Sequence, residues 1–210
     1  MKIDEIVKEH FSNIFEKTLQ NEICKYAVLK SAEPDKIILE IRREISFIPL
    51  IISGVAKVMR RDGKGNGIFL HYLATKQISA IAISYTLENK KSEIRIKAES
   101  NITYIAIPAN IVSSWFEKYK TWRSYYIKQN QEQTSFLIER INDISFENLE
   151  YRVVKYLKYA SLTYRDNVIN KKHFDIARDL KVSREAISRV LKKLEKEAVV
   201  TLGRNKITLK

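Results

Sequence analysis

A single cysteine, Cys24, excludes an internal disulfide and any iron–sulfur cluster held by several thiolates of one chain. It reads as a small buried hydrophobe. The three histidines, His10, His71 and His173, lie too far apart in the sequence to suggest a metal site. Each reads as structural, with His71 alone, mid-strand, a candidate to touch a ligand. Neither Gly-x-Ser-x-Gly nor His-Glu-x-x-His occurs, and the glycine-rich Arg61-Asp-Gly-Lys-Gly-Asn-Gly67 lacks the Lys-Ser/Thr and the helix of a phosphate loop, so a hairpin loop is expected there. With no catalytic constellation, no enzyme is expected, and neither a cofactor nor a metal. The longest apolar candidate, Ile68 to Tyr85, is broken by His71, Lys76 and Gln77, which argues against a membrane span. Met1-Lys-Ile-Asp-Glu-Ile6 is charged where a signal peptide is apolar, so a cytoplasmic protein is expected.

What the chain has in excess is positive charge. Its 38 Lys+Arg against 25 Asp+Glu give a formal net charge of +13, which implies an anionic partner. The excess is uneven: from Phe146 onward 16 basic and 8 acidic residues leave +8, whereas the residues before hold +5.

The basic end also carries the clearest pattern. In Val182-Ser-Arg-Glu-Ala-Ile-Ser-Arg-Val-Leu-Lys-Lys-Leu-Glu-Lys-Glu-Ala198, Ser183 can cap a helix and Glu185 suits the positive end of its dipole. Ala186, Ile187, Val190, Leu191 and Leu194 recur at helical spacing and predict a buried stripe. Arg184 and Ser188, and likewise Glu185 and Arg189, lie one turn apart, so four hydrogen-bonding side chains gather at the N-terminal end of the other face, followed by Lys192 and Lys193. Upstream, Asn170-Lys-Lys-His-Phe-Asp-Ile-Ala-Arg-Asp-Leu180 predicts a shorter helix capped by Asn170, with Phe174, Ala177 and Leu180 inward, which makes Lys181-Val182 the turn of a helix-turn-helix. Downstream, Val199–Leu202 and Lys206–Leu209 flank Gly203-Arg-Asn205 and predict a hairpin with a three-residue loop, a wing. The competing reading is an amphipathic helix pair with a solvated basic face; the joint occurrence of the ordered face, the short helix and the wing stands against it.

The run from Ile176 to Glu197 resembles the recognition element of the bacterial Crp/Fnr transcription regulators. The resemblance implies that Glu185 and Arg189 read base edges, with Ser188 resembling the Fnr-type and Arg184 the Crp-type version, and that each half-site carries a TGA core. Lys171, Lys172, Ser183, Lys192, Lys193 and Arg204 are then candidates for phosphate contacts. Two positions depart from the pattern: Lys181 stands where the turn often has Gly or Asn, and Ala198 where a Gly often ends the helix. Either costs roughly 1 kcal/mol if its backbone is left-handed.

Toward the start, Ile3, Ile6, Val7, Phe11, Ile14 and Phe15 predict a helix over 3–15. Short β-rich runs follow at Tyr26–Ser31, Lys36–Ile41, Phe47–Ser53, Val55–Arg60, Ile68–Leu73, Ile78–Ile83, Glu93–Ala98 and Thr103–Ile107, about eight strands that suggest a β-sandwich or roll. This half resembles the cyclic-nucleotide-binding-like roll of the same family, through the strand-Gly-strand element around Gly54. Where nucleotide binders of that type carry Gly-Glu for the ribose and Arg-Ser or Arg-Thr for the phosphate, this chain aligns Ala80-Ile81 and Ser92-Glu93. Ile81 forms no hydrogen bond to a hydroxyl and Glu93 repels a phosphate, so His71, Ala80, Ile81, Ser92 and Glu93 outline an effector pocket that has changed or lost its ligand.

Pro108 opens a helical region, with a short helix over 109–118 and a longer one over 121–144. Trp122, Tyr126, Gln129, Gln133, Phe136 or Leu137, Ile141 and Ile144 approximate a heptad with a polar middle. Such a seam serves either a packing face within the chain or a dimer; the family resemblance favours the dimer, with Trp122, Tyr126, Phe136, Leu137 and Ile141 in it. Asp143–Glu147 is the expected hinge and 149–162 the first helix of the DNA-binding domain, with Leu149, Val153, Tyr156 and Leu157 inward.

The expectation is therefore an α+β chain: an antiparallel β-roll sensor domain (1–118), a dimerisation helix and hinge (119–145) and a winged helix-turn-helix (146–210). Its partners would be double-stranded DNA, a second copy and RNA polymerase, independent of cyclic nucleotides and with an unknown effector. A rival reading makes the roll the active part, a small-ligand or cyclic-nucleotide sensor acting on a protein or RNA partner.

Overall fold

The β-branched runs between Val28 and Pro108 pair as two antiparallel sheets in the computed structural model, which describes residues 2–61 and 67–210. β1 (Val28–Ala32), β3 (Phe47–Ser53) and β7 (Ile102–Pro108) form one sheet with β7 in the centre. β2 (Ile37–Leu39), β4 (Ala56–Arg61), β5 (Gly67–Leu73) and β6 (Ile94–Ala98) form the other, in the order β2-β6-β4-β5. Alternation decides the buried face: Ile94, Ile96 and Ala98 are buried while Arg95 and Lys97 are not, and they pair with Arg60, Val58 and Ala56 across the ladder. The expected loop at 62–66 lies outside the described residues. Gly54, between β3 and β4, has φ +77 and a Cβ there would sit 2.1 Å from the Asn101 carbonyl, so this turn requires glycine.

Helices close the roll. The helix expected over 3–15 is α1 (Ile3–Phe11), and a second one not foreseen, α2 (Lys17–Tyr26), follows it; together they bury Ile6, Val7, Phe11, Leu19 and Ile23. The strand expected over 78–83 is the helix α3 (Ala80–Leu87): Ser79 accepts the Ala82 N–H at 3.3 Å and starts it, although its alternating isoleucines read as β. α4 (Ala109–Lys118) follows Pro108, and α5 runs from Lys120 to Phe146, so the expected hinge at 143–147 is helical up to Phe146. The core joins both sheets to Phe11, Phe15, Trp115 and Trp122, whose indoles meet edge-on at 5.2 Å.

The chain divides into two compact units, one of residues 2–61 with Leu70–Phe136, the other of residues 67–69 with Leu137–Lys210. In the second, α6 (Leu149–Tyr164) is capped by Asn148, whose side chain accepts the Tyr151 N–H. The helix-turn-helix is α7 (His173–Leu180) and α8 (Arg184–Lys196). The wing is β9 (Val200–Gly203) with β10 (Lys206–Leu209), and β8 (Val168–Ile169), unforeseen in the sequence, adds a third strand in the order β8-β10-β9. Gly203 pairs with Lys206, so the wing loop has two residues rather than three, with Asn205 taking the left-handed turn position.

Candidate nucleic-acid interface

Ser183 begins α8 by accepting the Ala186 N–H at 3.1 Å, and Ile187, Leu191 and Leu194 then bury one side of the helix. The opposite side is left to solvent. Arg184, Glu185, Arg189 and Lys192 are exposed, and none of them is held in an ion pair with a described residue. Ser188, between them, is half-buried and lies 2.9 Å from Nδ1 of His173 at the start of α7. The five side chains occupy one face over two turns, beginning at the helix N-terminus, where oriented N–H groups add positive potential. Guanidinium, carboxylate and hydroxyl groups so placed match the donors and acceptors of base edges in a major groove.

The support beneath this face is polar and largely satisfied. Tyr156 on α6 donates its hydroxyl to the buried Asp179 carboxylate at 2.8 Å, and Arg152 donates to the Leu180 carbonyl at 2.8 Å. These bonds tie the end of α7, just before the turn, to α6. Lys181 has φ 57 and Ala198 has φ 57, so both positions lacking glycine are left-handed and the cost stated for that case applies to each.

Several assignments change. α7 starts two residues later than expected, with Lys172 at its N-cap and no side-chain cap, so Asn170 does not cap it. Phe174 is 59% exposed and Ile176 takes the inward place, because Ile176, Ala177 and Leu180 are the residues that face the core. Lys171 is 6% exposed, so it is not the surface cation that a phosphate contact needs. Lys193 is exposed but paired with Glu150 at 2.5 Å and Glu197 at 3.7 Å. Ser183 spends its hydroxyl oxygen on capping. Lys172, Lys192 and Arg204 remain exposed cations.

Along α5 the expected seam splits. Trp122 is fully buried, and Tyr126 hydrogen bonds Ser84 at 2.9 Å, so both serve the chain's own core. Gln129 accepts the Ile78 N–H, and Gln133 accepts the Ala80 N–H and donates to the Ile78 carbonyl, so the polar middle also faces inward. Phe136 and Leu137 are half-buried, and Ile141 is 65% exposed. The outward large apolar residues are Ile127, Ile138, Ile141, Ile144 and, at the end of the helix, Phe146.

In the expected effector region, Ala80 and Ser92 are buried, and the Ser92 hydroxyl donates to the Ile94 carbonyl at 2.7 Å. Glu93 instead lies at the surface, 2.6 Å from Arg60, so it does not join the buried residues. His71 is buried with both ring nitrogens unpartnered among the described residues, and burial lowers its pKa to about 4. Cys24 is half-buried on α2, which raises its thiol pKa. Among the described residues no helix is long and apolar enough to cross a membrane, and no cluster of metal-ligating side chains is found.

No protein-family model and no curated protein matches the sequence. Solved structures do. A protein of Eubacterium rectale assigned to the Crp/Fnr family of transcriptional regulators superposes with a TM-score of 0.79 at 23% identity, over 94% of this chain and 92% of that one. The c-di-GMP responsive global regulator CLP of Xanthomonas campestris gives 0.76 at 14% identity, over 91% and 97%. A CRP/FNR-family transcriptional regulator of Thermus thermophilus gives 0.73 at 16% identity, over 87% and 93%. The chain has the fold of the Crp/Fnr transcriptional regulators.

Proposed function

We propose that this chain is a sequence-specific DNA-binding transcription regulator, cytoplasmic and without catalytic activity, that reads a two-fold site as a homodimer. One observation carries the reading: α8 turns Arg184, Glu185, Ser188 and Arg189 to one side while Ile187, Leu191 and Leu194 anchor the other. Arg189 can donate two parallel bonds to guanine O6 and N7, and Glu185 can accept from cytosine N4, each worth roughly 1–3 kcal/mol against a wrong base. Lys192 and Arg204 are suited to phosphates, and RNA polymerase is the further partner. For the dimer, Ile127, Thr134 and Ile141 repeat at seven residues, and Ile138 lies between the last two at heptad spacing. Exposed isoleucines at this spacing on one helix are matched by a second copy of the same helix.

We further infer that DNA binding does not require cyclic AMP or cyclic GMP. Ile81 offers a ribose no hydrogen bond, the Ser92 hydroxyl is turned to Ile94, and the glutamines of α5 already occupy the amides at Ile78 and Ala80.

The test is fluorescence anisotropy on duplexes over a salt series. Arg189→Ala should abolish the difference between preferred and scrambled duplexes while keeping the non-specific affinity. Lys192→Ala should weaken both alike and lower the salt slope by roughly one unit. An Arg189→Ala protein that still discriminates, or a parent whose binding rises at least tenfold with cyclic nucleotide, would overturn the corresponding part.

A further inference from the structure

We propose that His173 is a positioning residue for base reading: through Nδ1 it fixes the Ser188 hydroxyl and so sets which base the protein prefers at the step facing Ser188. The inference rests on the DNA-binding reading above and adds a residue to it.

The argument starts from what a serine does inside a helix. Its hydroxyl ordinarily turns back to the carbonyl one turn earlier. Ser84, Thr86, Ser145 and Thr163 all do this, donating to Ala80, Ala82, Ile141 and Tyr159 at 2.8–3.1 Å. Ser188 does not. Its Oγ bonds Nδ1 of His173 at 2.9 Å, fifteen residues away on the other helix of the helix-turn-helix. A hydroxyl drawn to its own backbone would face along the helix, whereas one held by His173 stays at the side, in the row with Glu185 and Arg189.

The histidine suits this task. It stands at the first position of α7, and with two side-chain torsions it loses little freedom in holding one orientation. Both partners are half-buried, so water competes for the bond less than at an open surface. A serine hydroxyl has one hydrogen, and this bond fixes its use. If Ser188 donates to His173, its lone pairs are left to accept from the amino group of adenine or cytosine. If His173 donates, the Ser188 hydrogen is left for the oxygen of guanine or thymine. Without His173 the hydroxyl rotates and offers either.

The experiment is selection from random duplexes with the full chain, comparing the parent with Ser188→Ala, His173→Ala and His173→Asn. Asparagine carries a polar atom on Cγ, where histidine carries Nδ1. Ser188→Ala and His173→Ala are both expected to lose roughly three- to tenfold of the preference at the same base step, the range of one neutral hydrogen bond. Preferences set by Glu185 and Arg189 and the affinity for scrambled DNA should stay, and His173→Asn should recover most of the loss. If His173→Ala does not fold, His173→Gln, whose amide hangs one carbon further out, takes its place beside His173→Asn. The proposal is overturned if His173→Ala keeps the parent preference, if it weakens all duplexes evenly, or if Ser188→Ala changes no base step. A parent that enriches no site overturns the DNA-binding reading and this proposal with it, which separates the two failures.

Discussion

Replacing Gln133 by methionine is expected to cost the first unit about 3 kcal/mol, although no charge is lost and the side chain keeps its length. Gln133 accepts the Ala80 N–H at 3.1 Å and donates to the Ile78 carbonyl at 2.6 Å. Ala80 is the first residue of α3, so its N–H has no partner within the helix, and Ile78 and Ala80 are fully buried, so water does not replace the glutamine. Each stranded group costs roughly 1–3 kcal/mol, and burial of the methionine thioether returns roughly 1 kcal/mol. The chain's two tryptophans, Trp115 and Trp122, are both buried in the first unit, so their fluorescence follows this unit during urea unfolding. With a denaturant slope of roughly 2 kcal/mol per M, the midpoint should fall by about 1.5 M. Gln131→Met, on the exposed side of the same helix, should stay within roughly 0.5 kcal/mol of the parent. A Gln133→Met midpoint within about 0.3 M of the parent would refute the reasoning.

Three further outcomes are expected. His71 is buried neutral, so the unfolded chain takes up a proton below its ordinary value of 6.5 while the folded chain resists until about 4; stability is complete above pH 6.5 and falls below it, by about 2 kcal/mol at pH 5. His71→Leu should remove that part of the difference between pH 7 and pH 5 in urea unfolding, and an unchanged difference would contradict it. Lys181→Gly should raise the melting temperature of the second unit, because relief of φ 57 returns roughly 1–2 kcal/mol and the glycine's extra freedom takes back roughly 0.5–1; a lower melting temperature would count against a left-handed Lys181. Ile141→Asp should shift the sedimenting mass from dimer to monomer without loss of helix, since Ile141 is 65% exposed; a parent that sediments as monomer would refute the dimer.

The helix α8 was legible because everything that makes it is local: a serine cap, a five-residue apolar stripe and a charged face within seventeen residues. The same locality misled elsewhere. Ile78-Ser-Ala-Ile-Ala-Ile83 alternates like a strand, yet Ser79 and the distant Gln133 satisfy its first N–H groups as a helix. α2 went unseen because its apolar stripe is little more than Leu19 and Ile23. The first part of the seam expected along α5 faces inward while Ile141 and Ile144 face outward: Trp122, Tyr126, Gln129 and Gln133 fit a heptad, but sequence does not say which side the roll covers. His173 gave no signal at all, since its partner lies fifteen residues away and the contact depends on the angle between two helices.

The central claim is that the exposed face of α8 reads bases, and selection of the parent and Arg189→Ala from a pool of random duplexes tests it most directly. The parent should enrich a two-fold symmetric site whose half-sites lie roughly 10 base pairs apart centre to centre. Arg189→Ala should enrich none while still binding the pool at low salt. A parent that enriches nothing, or an Arg189→Ala protein that enriches the parent's site, would contradict the account.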